Sequence, residues 1–390
     1  MATTASLKGT LRRQENRQKK PVSQSYWSLV WWKFKKNRLA IVGGVILVVF
    51  YVVMVGFAEF FSPYLLEARY GYATGGTSYT EAKPQAIRFV DSEGKFHARP
   101  FVYGLTQKVD MVRRVRYYED DPTRIYPIYF FVSRQPYKLF GIIPTTIHLF
   151  GVEENNPDAS IFIMGTDSNG RDYFSRLLYG GRLSLMIGLI GQVLTLILGS
   201  VLGAISGYYG GTTDMLVQRS TEFLSAFPDI PLFMALAAAI PKFWSPIIVY
   251  FMLTLILAFV RWGGLARQVR GLILSLRERE YALAAKSAGA SDQRIMFRHL
   301  LPGTMSHVIV IATLSIPGMI LAETSLSWLG LGLRPPLTSW GVLLQEAGTV
   351  YAIRFAPWLL WTVPFIIITI LAFNMLGDGL RDALDPYGGR

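Results

Sequence analysis

The chain has 390 residues, 51% of them hydrophobic and only 17% charged, with a formal net charge of +13. That balance is more apolar and less charged than a soluble domain carries, and it points to a polytopic membrane protein. With no cysteine there is no disulfide framework, thiolate metal site or cysteine nucleophile, and His97, His148, His299 and His307 lack metal-ligand spacing.

Residues 1–38 carry ten Lys or Arg against the single acid Glu15. This basic arm ends in an interfacial helix around Tyr26–Lys36, where Trp27, Trp31 and Trp32 suit the headgroup level. A nucleic-acid arm is the other reading of such charge, but this one leads straight into a span, so no nucleic-acid partner is expected. Leu39–Ala58 is an uncharged run long enough to cross the bilayer once, so 39–62 is taken as the first span, with the positive flank placing the N-terminus in the cytoplasm.

Residues 63–163 differ in composition, with many tyrosines, prolines and mixed charges. They read as an extracytoplasmic insertion with β-structure. Val90 to Phe96 forms a hairpin turn, Pro136 to Phe150 a loop, and Arg113, Arg114 and Arg116 pair with the following Glu119, Asp120 and Asp121. Asp167, Asn169 and Gly170 then make a turn, with Asp172 capping the next helix or pairing with Arg171 and Arg176.

The core, 164–377, is expected to hold five further spans. The first, Leu183–Ser206, carries Gly199, Gly203 and Gly207 at four-residue spacing, which lets helix backbones approach closely. A helix from Asp214 to Ile240 follows, containing Glu222 and Asp229; with Glu323 these are the candidate pathway residues, because ionisable groups at membrane depth face cavities or partners. For Glu222 an interfacial pair with Arg219 is the plainer reading. Next come a span from Ile247 through Trp262 and one over 305–322 interrupted at Pro317-Gly318. A Gly/Pro-broken segment from Glu323 to Gly341 could line a pathway. The last span is Pro357–Leu376, and 378–390 is a short cytoplasmic tail.

Between the fourth and fifth of these six spans lies a polar island, 278–303. From Arg261 to Thr304 there are eight Lys or Arg and three acids, a second cytoplasmic flank. Within it, Glu280 to Ala288 reads as a helix with a low-relief alanine face. Gly289 permits a turn that other residues resist, and Ser291 caps a second helix that ends before Pro302.

The spacing Ala284-Ala285, Gly289, then Leu301-Pro302 resembles the coupling motif of binding-protein-dependent ABC importer permeases. Leu283 departs from it, standing where that family often has Glu. The C-type permease of the dipeptide, oligopeptide and nickel branch is further resembled by Gly-Thr-Asp-Ser-Asn-Gly-Arg-Asp at 165–172, Ser184–Gly188 and Gly207-Tyr-Tyr-Gly-Gly. So too by Ser325-Leu-Ser-Trp-Leu-Gly-Leu-Gly and the Leu-Gly-Asp to Leu-Asp-Pro tail.

The resemblance implies an all-α, six-span, MetI-like type I importer fold; residues 63–163 lie outside it, as an insertion after the first helix longer than the simple hairpin of compact members. It implies an ATPase-coupling loop of Ala284, Ala285, Gly289, Ala290, Asp292, Leu301 and Pro302. As partners it implies a second, homologous permease, two ATPase subunits that bind ATP and Mg, and a solute-binding protein delivering peptide. Oligosaccharides and nickel chelates are the other cargoes of that branch. The residues add that no phosphate-binding Gly-x-x-x-x-Gly-Lys-Ser/Thr loop occurs, so this chain is expected to bind no nucleotide and to be no enzyme itself. An ATPase-independent secondary transporter is the rival from another class. It would need a relay of intramembrane acids, of which few are present.

Overall fold

The computed structural model describes residues 26–69, 79–112, 115–153 and 159–385. Five helical runs are long and apolar enough to cross a membrane. The first joins α2 (Arg38–Phe50), capped by the Asn37 side chain, to a π-helical stretch at Tyr51–Gly56. Before it lies α1 (Tyr26–Lys36), whose Val30 is buried while Trp27, Trp31 and Trp32 remain exposed, as an interfacial helix requires. A short α3 (Ala58–Phe61) follows.

The second run, α4 (Tyr173–Tyr209), is one unbroken helix of 37 residues, so the amphipathic entry and the span expected to follow it are continuous. Asp172 caps it by accepting from the Ser175 amide at 2.7 Å. Gly199, Gly203 and Gly207 face a helix of the same chain, α7 (Pro246–Leu276). A methyl group on Gly203 would lie 2.5 Å from the Ala266 carbonyl oxygen, so the two backbones touch there.

The helix expected over 214–240 is instead two, α5 (Gly211–Ser225) and α6 (Asp229–Ala238), bent by 89°. Pro228 is the cause. It lacks an amide hydrogen, disfavours helical geometry in Phe227 and itself adopts an extended ψ of 135°. Counted as one broken span, the pair brings the number of spans to six; otherwise it is five.

After α7 come α8 (Glu280–Ser287) and α9 (Asp292–Arg294), which runs through a π-helical stretch, Ile295–Leu300, into α10 (Leu301–Trp328). Two prolines thus act differently from expectation. Pro302 follows directly on the π-helical stretch, whose altered hydrogen-bond register precedes its missing amide hydrogen, and the helical run continues past it without a gap. Pro317 is buried inside a continuous helix, held by packing against its neighbours. The helix reaches Trp328, so only Leu329–Ser339 is irregular. Two short helices, α11 (Trp340–Ala347) and α12 (Val350–Phe355), precede a 3-10 turn at Pro357–Trp361 and α13 (Thr362–Leu384), which absorbs most of the expected tail.

The described residues between 88 and 151 are mostly β-structure. Strands β1 (Arg88–Val90), β2 (Phe96–Asp110) and β3 (Val115–Pro127) form an antiparallel sheet in the order β1-β2-β3, its first turn falling at 91–95. Pro136 to Phe150, expected as loop, lies mostly in a second hairpin of β4 (Tyr129–Leu139) and β5 (Ile143–Gly151). Tyr64, Tyr79, Val102, Leu105, Ile161 and Phe162 are among the side chains that form a core of its own. Among the described residues the acids on β3 have partners other than Arg116: Glu119 pairs with Lys108 on the neighbouring β2, Asp120 with Lys83 at 2.7 Å, and Asp121 with Arg124, three residues along the same strand, at 2.8 Å. Arg113 and Arg114 lie outside the described residues. The Thr123 hydroxyl and the Arg124 guanidinium hold the Asp121 carboxyl down at about 2.

The bundle has two unlike ends. At one, Tyr26 on α1 hydrogen-bonds Ser306 at 3.0 Å, Lys33 donates to the Asp385 carbonyl at 2.9 Å, and Tyr208 donates to Asp292 at 2.7 Å. The N-terminal helix, the 280–301 segment and the end of α13 therefore share that end. At the other, Arg182 on α4 grips Glu59 on α3, and the buried ring of His148 on β5 bonds the Ser62 carbonyl at 2.6 Å.

Candidate functional site

At the first end, α8 stops where Ala288 leaves helical geometry and Gly289 takes φ +78°. The Ala290 amide donates to the Ala285 carbonyl at 3.1 Å and the Gly289 amide to Lys286 at 3.0 Å. This is a Schellman motif, with the expected apolar contact made by Ala285 and Ala290, both packed on the cluster that includes Ala204, Ile273, Ile295 and Leu300. Ser291 then opens α9, accepting from the Arg294 amide.

The alanine face divides in two. Ala282 is buried, Ala285 and Ala290 are half-buried, and Ala284, Ala288 and Gly289 face outward with Leu283 and Lys286. Asp292 is exposed and holds Tyr208; Leu301 is half-buried; Pro302 is exposed in the first turn of α10. The predicted loop residues are thus one structural unit, but the flat outer surface is Ala284 with Ala288, and Ala285 is part of its footing.

The footing is rigid. Arg277 donates to the Gly207 carbonyl at 3.1 Å, and Arg270 grips Asp214 through Nε and Nη2 at 2.5 and 2.6 Å. These contacts tie α7 to α4 and α5 at the end from which α8 follows, and Ala282 of α8 is buried in the same cluster as Ala204 and Ile273. Beside it a cleft of about 370 Å³ is lined by Tyr208, Arg277, Leu283, Lys286 and Asp292, among others.

The three predicted pathway acids have separate partners. Glu222 is exposed on α5 and accepts from Arg219 at 2.8 Å. Asp229 begins α6 and lies 3.7 Å from Arg261. Glu323 is 1% exposed, accepting from Ser184 at 3.0 Å and Ser327 at 2.6 Å; Ser184 in turn accepts from the Trp340 amide. Glu323 therefore ties the Leu329–Ser339 segment to α4 and α10.

A buried charge cluster went unseen in the sequence. Asp167, wholly buried, accepts from Arg171 Nε at 2.7 Å, from Arg176, and from the amides of Asn169 and Arg171. The same two arginines reach Glu346 on α11, and Arg171 also reaches Glu67. Asp172 remains a cap: burial pushes its carboxyl up to about 7 against the pull of Ser175. Among the described residues no three His, Asp or Glu side chains converge to hold a metal ion.

The family described as "N-terminal TM domain of oligopeptide transport permease C" matches residues 25–74, and that described as "Binding-protein-dependent transport system inner membrane component" matches 199–387. The oligopeptide transport system permease protein OppC of Haemophilus influenzae is 42% identical over 223 residues, 57% of this chain and 69% of that protein. The chain belongs to the binding-protein-dependent transport permeases. OppC of Bacillus subtilis is 40% identical over 233 residues, 60% of this chain and 74% of the relative. The glutathione transport system permease protein GsiD of Pectobacterium atrosepticum is 41% identical over 233 residues, 60% and 75% of the two chains. The permease is a multi-pass membrane protein, and the turn at Gly289 lies inside its family-matched region.

Proposed function

We propose that this permease is the C-type subunit of an ATP-driven importer of peptides. The observation that carries the reading is the Gly289 turn: an exposed, low-relief helix end, fixed by a Schellman motif on a rigid footing at the end of the bundle that also holds both described termini. Two ATPase subunits, binding ATP and Mg, grip this turn from the cytoplasm. A second, homologous permease completes the pathway, and a solute-binding protein docks outside, where the 88–151 strands lie. Closure of the ATPase pair pushes α8, and the Arg277 and Arg270 contacts pass the push to α4, α5 and α7, biasing the pathway toward outward access. The peptide assignment is supported by the oligopeptide and dipeptide transport relatives.

The chain has no cysteine, so single introduced thiols report sidedness cleanly. In intact cells a membrane-impermeant maleimide is expected to label Ser92→Cys, in the β1–β2 turn, and to leave Lys286→Cys untouched until the membrane is opened. Labelling of Lys286→Cys from outside would reverse the topology and remove the turn from any cytoplasmic ATPase.

A further inference from the structure

Arg261 was counted in the sequence with a cytoplasmic basic flank. In the structure it is the midpoint of α7, fifteen residues from Pro246 and fifteen from Leu276. Its neighbours place it deep as well. Ala258, one turn before it, accepts from Thr195, near the middle of the uncharged Leu183–Tyr209 stretch of α4. The guanidinium also rests against Gly318, well inside α10, where an added methyl group would lie 2.5 Å from Nη1.

A permanently charged side chain at that depth is costly, and such groups face cavities or partners. This one is under-compensated. Among the described residues its Nε is buried without a hydrogen-bond partner, its charge lies over the Phe233 ring at 5.7 Å, and the one acid beside it, Asp229, is 3.7 Å away. Asp229 is 62% exposed against 29% for Arg261, so the pair is loose and open on one face.

The span breaks at the same level. α5 runs beside α7 from Asp214–Arg270 to Thr221–Gly263, and beyond the bend Phe233 and Ala237 of α6 share an apolar cluster with Val249, Leu253 and Leu257 of α7. The 89° bend at Phe227-Pro228 thus falls opposite Arg261, with Phe227 and Ile230 exposed. A broken helix beside an under-compensated charge within the spans is how transporters build polar sites in hydrocarbon.

We propose that Arg261 and Asp229 form a substrate subsite at this break, in which Asp229 gives up the Arg261 guanidinium to a peptide's terminal carboxylate. The proposal rests on the reading of the chain as a peptide permease. The guanidinium fork matches a carboxylate in two parallel hydrogen bonds, which the 3.7 Å contact with Asp229 does not supply.

The test uses the complete importer in proteoliposomes, with one binding protein throughout, and compares uptake of trialanine with its C-terminal amide. In the wild type the free acid is expected to be preferred. Arg261→Gln should reduce that preference by roughly tenfold or more through KM for the acid, with the amide little changed, and Arg261→Lys should retain part of it. Asp229→Asn, which frees the guanidinium, should lower KM for the acid alone and covers the case in which Arg261→Gln fails to co-purify with its partners. Because the binding protein is constant, the change in ratio belongs to the permease. Variants that scale acid and amide uptake equally would overturn the subsite and leave the peptide reading intact. A wild-type importer that takes up neither peptide would overturn the peptide reading itself.

Discussion

Gly289→Val is expected to cut ATP-dependent uptake by roughly tenfold or more while the protein still inserts and folds. Gly289 sits at φ +78°, and a Cβ built there meets nothing within 4 Å. A side chain therefore causes no clash within the chain, and its effect is backbone strain, about 1–2 kcal/mol for an ordinary residue and more for a β-branched one. That strain is relieved by opening the Schellman turn, which displaces Ala284 and Ala288 from the surface proposed to meet an ATPase. Asparagine, which visits the left-handed region readily, should cost least, alanine more and valine most. ATP hydrolysis and uptake measured on one preparation separate the possibilities, since the expected signature is hydrolysis without matching transport. Coupled uptake at the wild-type rate in the valine variant would remove the turn from the coupling path.

The second large effect is on stability. Asp167→Ala leaves Arg171 and Arg176 buried, and stripping one partner from such a network costs about 3–5 kcal/mol. It also removes the acceptor for the Asn169 and Arg171 amides, opening the turn that aims α4. Glu346→Gln should cost less, because Asp167 still faces both arginines. Thermal unfolding in detergent ranks the two variants; equal midpoints for Asp167→Ala and wild type would show that the cluster contributes nothing net.

These two sites differ in how visible they are in the sequence. The Gly289 turn is local: a glycine after an alanine-rich run, a serine two residues on, and a fixed distance to Leu301-Pro302 prescribe it without reference to the rest of the chain. The charge cluster is the opposite case. Glu67 and Glu346 stand 104 and 175 residues from Arg171, so nothing within a helical or strand period connects them. The helix boundaries show the same division. Pro228 ends a helix as its local chemistry demands, whereas Pro302 and Pro317 do not, because one follows a π-helical stretch that carries the run onward and the other is held by neighbouring helices. Arg261 was placed in a flank for a related reason: charge counting assumes that a cation ends a span, and here the helix continues for fifteen residues past it. The strands over 136–150 were missed because Pro136 and the Gly141 turn read as loop, yet both fit within a single hairpin.

The claim on which the account turns is that this permease moves peptide only when separate ATPase subunits drive it. Proteoliposomes containing the chain, its partner permease and two ATPases, given labelled peptide with its binding protein on one side and ATP with Mg on the other, test it most directly. The account predicts accumulation against a gradient that needs ATP on the face carrying Gly289 and disappears when the binding protein is omitted. Accumulation by the chain without ATPases, driven by a proton or sodium gradient, would contradict it.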